Sequence, residues 1–135
     1  MNMFSKKKEE INEEYFKKGV AQVNDGDVDI AANSQKQAED KIMNAGALRK
    51  YTEIGKLMFS MLNDFRNGSY TNIPWFTIAS IAFTMLYVIN PFDIMPDFIP
   101  GIGYVDDFAI LTFSIRFMET DLHKYLDWKL DSNEE

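Results

Sequence analysis

The sequence predicts an all-α fold: a small helical bundle of about five helices, ending in an apolar C-terminal helical hairpin. Three observations predict it. Apolar residues recur at intervals of three and four over most of the chain. No stretch alternates for long enough to build a sheet. Clusters of Gly, Pro, Asn and Asp separate segments of helical length. With 135 residues, 46% of them hydrophobic, the chain can bury a sizeable core as one unit. The expected division is a charged helical arm over 1–45 and a helical domain over 46–131.

The first helix is expected over 5–22, where Ile11, Tyr15, Phe16 and Val20 supply a narrow apolar side among many charges. Asn24-Asp25-Gly26-Asp27 is turn chemistry, and Asp27 or Asp29 is placed to cap a second helix. That helix carries Val28, Ala31, Ala32, Gln35, Ala38 and Ile42 on one side and ends or bends at Gly46. The third has the clearest periodicity: Leu48, Tyr51, Ile54, Met58, Met61, Leu62 and Phe65 face one way. Arg49, Lys50, Glu53, Lys56, Asn63 and Asp64 face the other. Asn67-Gly68 should stop it, since glycine accepts the left-handed conformation without steric cost.

A fourth helix starts near Pro74, a residue suited to the first helical turn. Ile73 to Ile89 is a run of 17 residues without a charge. Asn90-Pro91 ends it, because the residue before proline is pushed out of the helical region. Three prolines and two glycines among residues 91–103 then forbid a regular helix. The last helix is expected from Tyr104 to about Leu130, with Phe108, Leu111, Ile115, Met118, Leu122, Tyr125 and Leu126 as its stripe and the final DSNEE frayed.

Charge excludes one class of partner. Residues 1–72 carry eleven basic and eleven acidic residues. Residues 73–135 carry three basic residues (Arg116, Lys124, Lys129) against ten acidic ones, so the whole net charge of −7 lies in the apolar half. Phosphate backbones need compensating cations, which argues against nucleic-acid binding. The absence of cysteine excludes disulfides, thiol nucleophiles and thiolate metal sites, and a reducing cytoplasm is the natural reading. The opening MNMFSKKKEEINEEYFKK has no apolar segment of the kind a secretory signal needs.

The run from Leu86 to Asp107 contains Tyr87, Pro91, Asp93, Pro96, Asp97, Pro100, Gly103, Asp106 and Asp107 in the order Tyr-x-x-x-Pro-x-Asp-x-x-Pro-Asp-x-x-Pro-x-x-Gly-x-x-Asp-Asp. This resembles the YkvA family of bacterial proteins, best over roughly residues 70–128. The resemblance implies a short helical domain without an established function, often described as membrane-associated or multi-pass. It supplies no catalytic residue to transfer.

Asp93, Asp97, Asp106 and Asp107 are the candidate ligand-binding residues, with Pro91, Pro96, Pro100 and Gly103 setting the turn. Carboxylates gathered by prolines can hold a hard divalent cation such as Mg²⁺ or Ca²⁺. Their spacing matches no calcium loop, which needs acids at every second position and a distal Glu. Capping is the preferred reading: each Asp at a helix start stabilises by about 0.5–2 kcal/mol. No catalytic residue is assigned. His123, the single histidine, falls on the polar side of the last helix beside Asp121 and Lys124, and one histidine without a partner specifies no chemistry. A metal-dependent hydrolase would need a nucleophile or base that the sequence does not contain in recognisable form.

Membrane contact stays as an open pair of readings. Seventeen residues make a helix of about 26 Å, against a hydrocarbon core of about 30 Å. Trp75 and Tyr87 lie near its ends, where interfacial anchors would. A second span would carry Arg116 into lipid. Thr77, Ser80 and Thr84 at helical spacing instead suit a helix buried in a bundle. The expected function is therefore a non-enzymatic module docking on a membrane or partner protein through its apolar hairpin. The alternative is an integral hairpin with a cation at its acidic turn. Composition sets no oligomeric state.

Overall fold

The computed structural model describes residues 13–44, 46–89 and 107–134. These are helical almost throughout, with no strand among them. The helices are α1 (13–21), α2 (Asp25–Ala32), α3 (Gln35–Asn44), α4 (Thr52–Arg66), α5 (Trp75–Ile89) and α6 (Asp107–Glu134), with a 3-10 turn at Gly46–Tyr51 before α4.

The uncharged helix lies at the centre. Eleven of the 15 residues of α5 are buried, and α2, α3, α4 and α6 all pack against it. Its hydroxyls are satisfied without water. Ser80 donates to the carbonyl of Phe76 and Thr84 to that of Ser80, each at 2.7 Å, while Thr77 donates to Asp121 Oδ2 on α6 at 2.5 Å. A buried hydroxyl without a partner costs free energy, so these bonds let three polar residues sit in an apolar core.

Around α5 the core has two parts. The larger joins Val28, Ala31, Ala38 and Ile42 to Met58, Phe59, Leu62, Ile78, Ile81, Met85, Leu111, Met118 and Tyr125. The smaller lies beneath α1, where Tyr15, Phe16 and Val20 meet Ala79, Phe83, Tyr87 and Phe113. Gly19 permits that approach: a Cβ there would stand 2.1 Å from the Phe83 ring.

The expected second helix is two. Asn33, at φ −79° and ψ −5°, closes α2 by donating its N–H to the carbonyls of Ala31 and Asp29. Ser34 Oγ donates to the carbonyl of Ile30, and the Ser34 carbonyl accepts from Ala38 N–H to open α3. The one-sided stripe carries through this corner only by counting the polar Gln35 between Ala32 and Ala38, so a gap of five polar residues reads as one continuous helix. The cap of α2 is Asn24 rather than Asp27 or Asp29. Its Oδ1 accepts from Asp27 N–H at 2.9 Å while Asp27 Oδ2 accepts from Asn24 N–H at 3.0 Å, a reciprocal capping box. Asp29 instead pairs with Arg66 Nε at 3.0 Å.

Other boundaries follow local chemistry. α4 stops at Arg66, and Gly68 at φ +84° turns the chain so that Tyr70 N–H reaches the Asp64 carbonyl. The Pro74 carbonyl accepts from Thr77 and Ile78 N–H, opening α5 one residue later than the proline. α6 continues to Glu134, past the expected end near Leu130.

Because Ile81 is fully buried at the centre of α5, Ile81→Ala should lower unfolding stability by about 2–5 kcal/mol. Leu130→Ala, at a half-exposed position on α6, should stay within about 0.5 kcal/mol of wild type. Urea denaturation of the two variants measures the contrast.

Candidate docking surface

The acidic turn lies mostly outside the description. Asp93, Asp97 and Asp106 are outside the described residues, as are Pro91, Pro96, Pro100 and Gly103. Asp107 enters only as the first residue of α6. Tyr87, the first position of the motif, is described and buried, with its ring edge-on to Tyr15 at 6.1 Å and tilted against Phe83 at 6.2 Å. Just before the turn, Lys41 on α3 donates from Nζ to the Ile89 carbonyl at 3.1 Å. A cation there satisfies a terminal carbonyl and complements the helix dipole, worth about 0.3–1 kcal/mol. Nothing local in the sequence announces a bond between residues 48 positions apart.

The densest polar cluster joins α4 to α6. Tyr125 donates to Asp64 Oδ2 at 2.5 Å, leaving Ser60 to donate to the phenol oxygen at 2.5 Å. Lys129 Nζ donates to Ser60 Oγ at 2.5 Å and to the Tyr125 oxygen at 3.1 Å, and lies 3.5 Å from Asp64. Burial, then the hydrogen bond to Asp64, pushes the Tyr125 phenol above its ordinary value. Lys129 is also raised, chiefly by its bond to Tyr125. A phenol held protonated and an amine held charged make poor bases at neutral pH. The cluster is a clamp, packed beside the rings of Tyr70 and Trp128.

A solvent-open cleft between α2 and the end of α4 is lined by Asp25, Asp29, Asn63, Arg66 and Asn67. Across it Asp29 is held in an ion pair with Arg66 Nε at 3.0 Å. Among the described residues, no group of three or more His, Cys, Asp or Glu is gathered to hold a metal ion. His123 is exposed on α6.

The first turn of α5 is different. Trp75 is 43% and Phe76 42% exposed, although the rest of the helix is almost wholly enclosed. Phe76 meets Phe117 of α6 edge to face at 6.1 Å, and Phe117 stacks on Phe16 of α1 at 5.6 Å. Lys17 Nζ lies 5.5 Å from the Phe117 ring, within cation–π range. The Thr77–Asp121 bond fixes this end of α5 to the middle of α6. The outcome is a small aromatic ledge with a lysine at its border. The sequence marked Trp75 as an end residue of the apolar run, but nothing in the spacing separated Phe76 from the core residues that follow it. Among the described residues, no helix is both long and apolar enough to cross a membrane.

Comparison with known proteins matches these elements to a family. A family model described as "Protein of unknown function (DUF1232)" matches residues 77–113, which run from the first turn of α5 into α6. The chain is 38% identical over 72 residues to "Uncharacterized membrane protein YkvA" of Bacillus subtilis (strain 168), covering 53% of this chain and 68% of that relative. No solved structure matches.

The clamp predicts alkaline sensitivity. Tyr125 and Lys129 both have folded values above their ordinary 10.0 and 10.5. Their contribution is therefore complete at lower pH and is lost as pH rises past those values. Stability should fall above about pH 10, and Tyr125→Phe should flatten that fall while costing about 1–3 kcal/mol at neutral pH. Denaturation curves at neutral and alkaline pH test both.

Proposed function

As the chain belongs to the YkvA family, whose domain has no established function, we propose that it is a non-enzymatic helical module that docks peripherally on a membrane surface. The observation that carries this reading is the Trp75–Phe76 ledge, two large aromatic side chains left in water at one end of a helix otherwise spent on the core. Trp suits the membrane–water interface because its ring is apolar while its N–H keeps a polar partner. The relative's printed name, a membrane protein, supports the same direction.

Geometry favours contact over insertion. The apolar residues of α5 that would face lipid in a spanning helix face α1, α2, α3, α4 and α6 instead. Inserting α5 would require that core to come apart. Docking the ledge requires only that two half-exposed rings leave water, which yields on the order of 2 kcal/mol. That is a weak and reversible attachment, of the kind a second contact must reinforce.

Sedimentation with phosphatidylcholine–phosphatidylglycerol vesicles tests the reading. Wild-type protein should pellet with vesicles, and Trp75→Ala with Phe76→Ala should weaken binding by about tenfold or more while the variant, losing the Phe76–Phe117 contact, melts a few degrees lower but still cooperatively. Equal binding by the double variant rejects the ledge. Protein that stays in the membrane pellet after a carbonate wash would replace peripheral docking with integral insertion.

A further inference from the structure

The ledge is too small to hold the protein on a membrane alone, and the structure contains a larger apolar surface continuous with it. Beneath α1 lie Ala79, Phe83 and Tyr87 of α5 with Phe113 of α6, and Phe117 links this face to Phe76. α1 seats on it through three side chains, Tyr15, Phe16 and Val20. Phe16 meets Phe83 at 5.7 Å and stacks on Phe117 at 5.6 Å, and Tyr15 meets Phe83 at 6.2 Å. This second cluster is separate from the main core formed by α2 to α6.

We infer that α1 is a displaceable cover, and that the α5–α6 face beneath it is a second lipid-binding surface extending the Trp75–Phe76 ledge. The inference rests on the membrane reading above. Three features favour displacement. The Tyr15 hydroxyl is buried with no hydrogen-bond partner among the described residues, so the seated state carries an uncompensated desolvation cost. Burial alone raises its phenol's pKa. On the outer side of α1 the pairs Lys17–Glu13 at 3.2 Å and Lys18–Glu14 at 3.0 Å run within the helix, and such exposed pairs contribute little; toward α6, Lys17 Nζ also lies 5.5 Å from the Phe117 ring, a contact that lifting α1 would have to give up. Lifting α1 also loses little apolar burial, because Phe16 and Val20 exchange one apolar environment for another when both faces meet lipid. Tyr15 can then bring its hydroxyl to the polar boundary, where an aromatic hydroxyl is at home. Lys17 and Lys18 lie on the polar side of α1, as in helices that rest in the interface.

Two substitutions move the cover in opposite directions. Gly19→Leu places a side chain where the Phe83 ring stands and should unseat α1, raising vesicle affinity by about tenfold. Tyr15→Phe removes the unpartnered hydroxyl and should seat α1 more firmly, lowering vesicle affinity by several-fold. Ile81→Ala weakens the main core without touching the seat of α1, and should leave affinity near wild type. The experiment uses the full chain with phosphatidylcholine–phosphatidylglycerol vesicles, read by sedimentation and by amide hydrogen exchange in α1. Faster exchange in α1 on vesicles supports displacement. If Ile81→Ala raises binding as much as Gly19→Leu, general loosening explains the effect and the cover is rejected. If Gly19→Leu and Tyr15→Phe both bind like wild type while Trp75→Ala still weakens binding, the cover is rejected and the ledge stands. Absence of binding by every variant rejects both. Should Gly19→Leu fail to fold, Tyr15→Phe alone decides, since wild-type affinity in that variant rejects the cover.

Discussion

The structure depends on enclosing α5. A helix without a single charged residue has no side to give to water, so every neighbouring element is arranged to cover it. α2, α3, α4 and α6 pack against it, and α1 seals the stripe of Ala79, Phe83 and Tyr87. The polar atoms that remain inside are dealt with locally, by Ser80 and Thr84 bonding back to their own helix and Thr77 reaching Asp121. Among the described residues of α5, the exposed ones are in its first turn, Trp75 and Phe76. Enclosure, and the exposed first turn that it leaves, thus account for both the fold and the candidate surface.

Local patterns in the sequence were enough to recover elements whose boundaries are set locally. The 3–4 spacing of Met58, Met61 and Leu62 places α4 with its buried face inward, and Gly68 ends it at positive φ. Leu111, Met118, Leu122 and Tyr125 form the buried stripe of α6 as their spacing indicates, although Leu126 is turned outward. The corner at Asn33-Ser34 escaped because the helical spacing from Ala31 and Ala32 to Ala38 can be kept by counting the polar Gln35, which hides the five-residue polar gap from Asn33 to Gln37. What decides that corner is Ser34 reaching back to Ile30. The capping box at Asn24 likewise depends on which polar side chain faces the free N–H groups. Contacts across the fold were not legible at all: Lys41 to Ile89, and Asp64, Ser60, Tyr125 and Lys129 together, are separated by dozens of residues.

The candidate site divides in the same way. Four aspartates and three prolines carry the resemblance read from the sequence, yet what is described of that run is the buried ring of Tyr87 and the start of α6. Of the aromatic surplus visible in the composition, with 11 Phe, 6 Tyr and 2 Trp, the rings among the described residues are mostly taken up in the core and in ring-to-ring contacts around α1 and α6. A small residue of it reaches the surface. An uncharged segment of 17 residues reads equally well as a membrane span or as the centre of a bundle, because hydropathy measures only the dislike of water. Its neighbours make the difference: five helices offer complementary apolar faces, and those faces leave little of α5 for lipid.

Amide hydrogen exchange in plain aqueous buffer, without detergent or lipid, tests that enclosure most directly. If α5 is the centre of a packed bundle, amides from Ile78 to Val88 should be the slowest in the protein, opening only with global unfolding. Rapid exchange across that stretch in a chain that is otherwise folded, with protection appearing only on addition of detergent, would show that lipid and not the other helices is its proper surrounding.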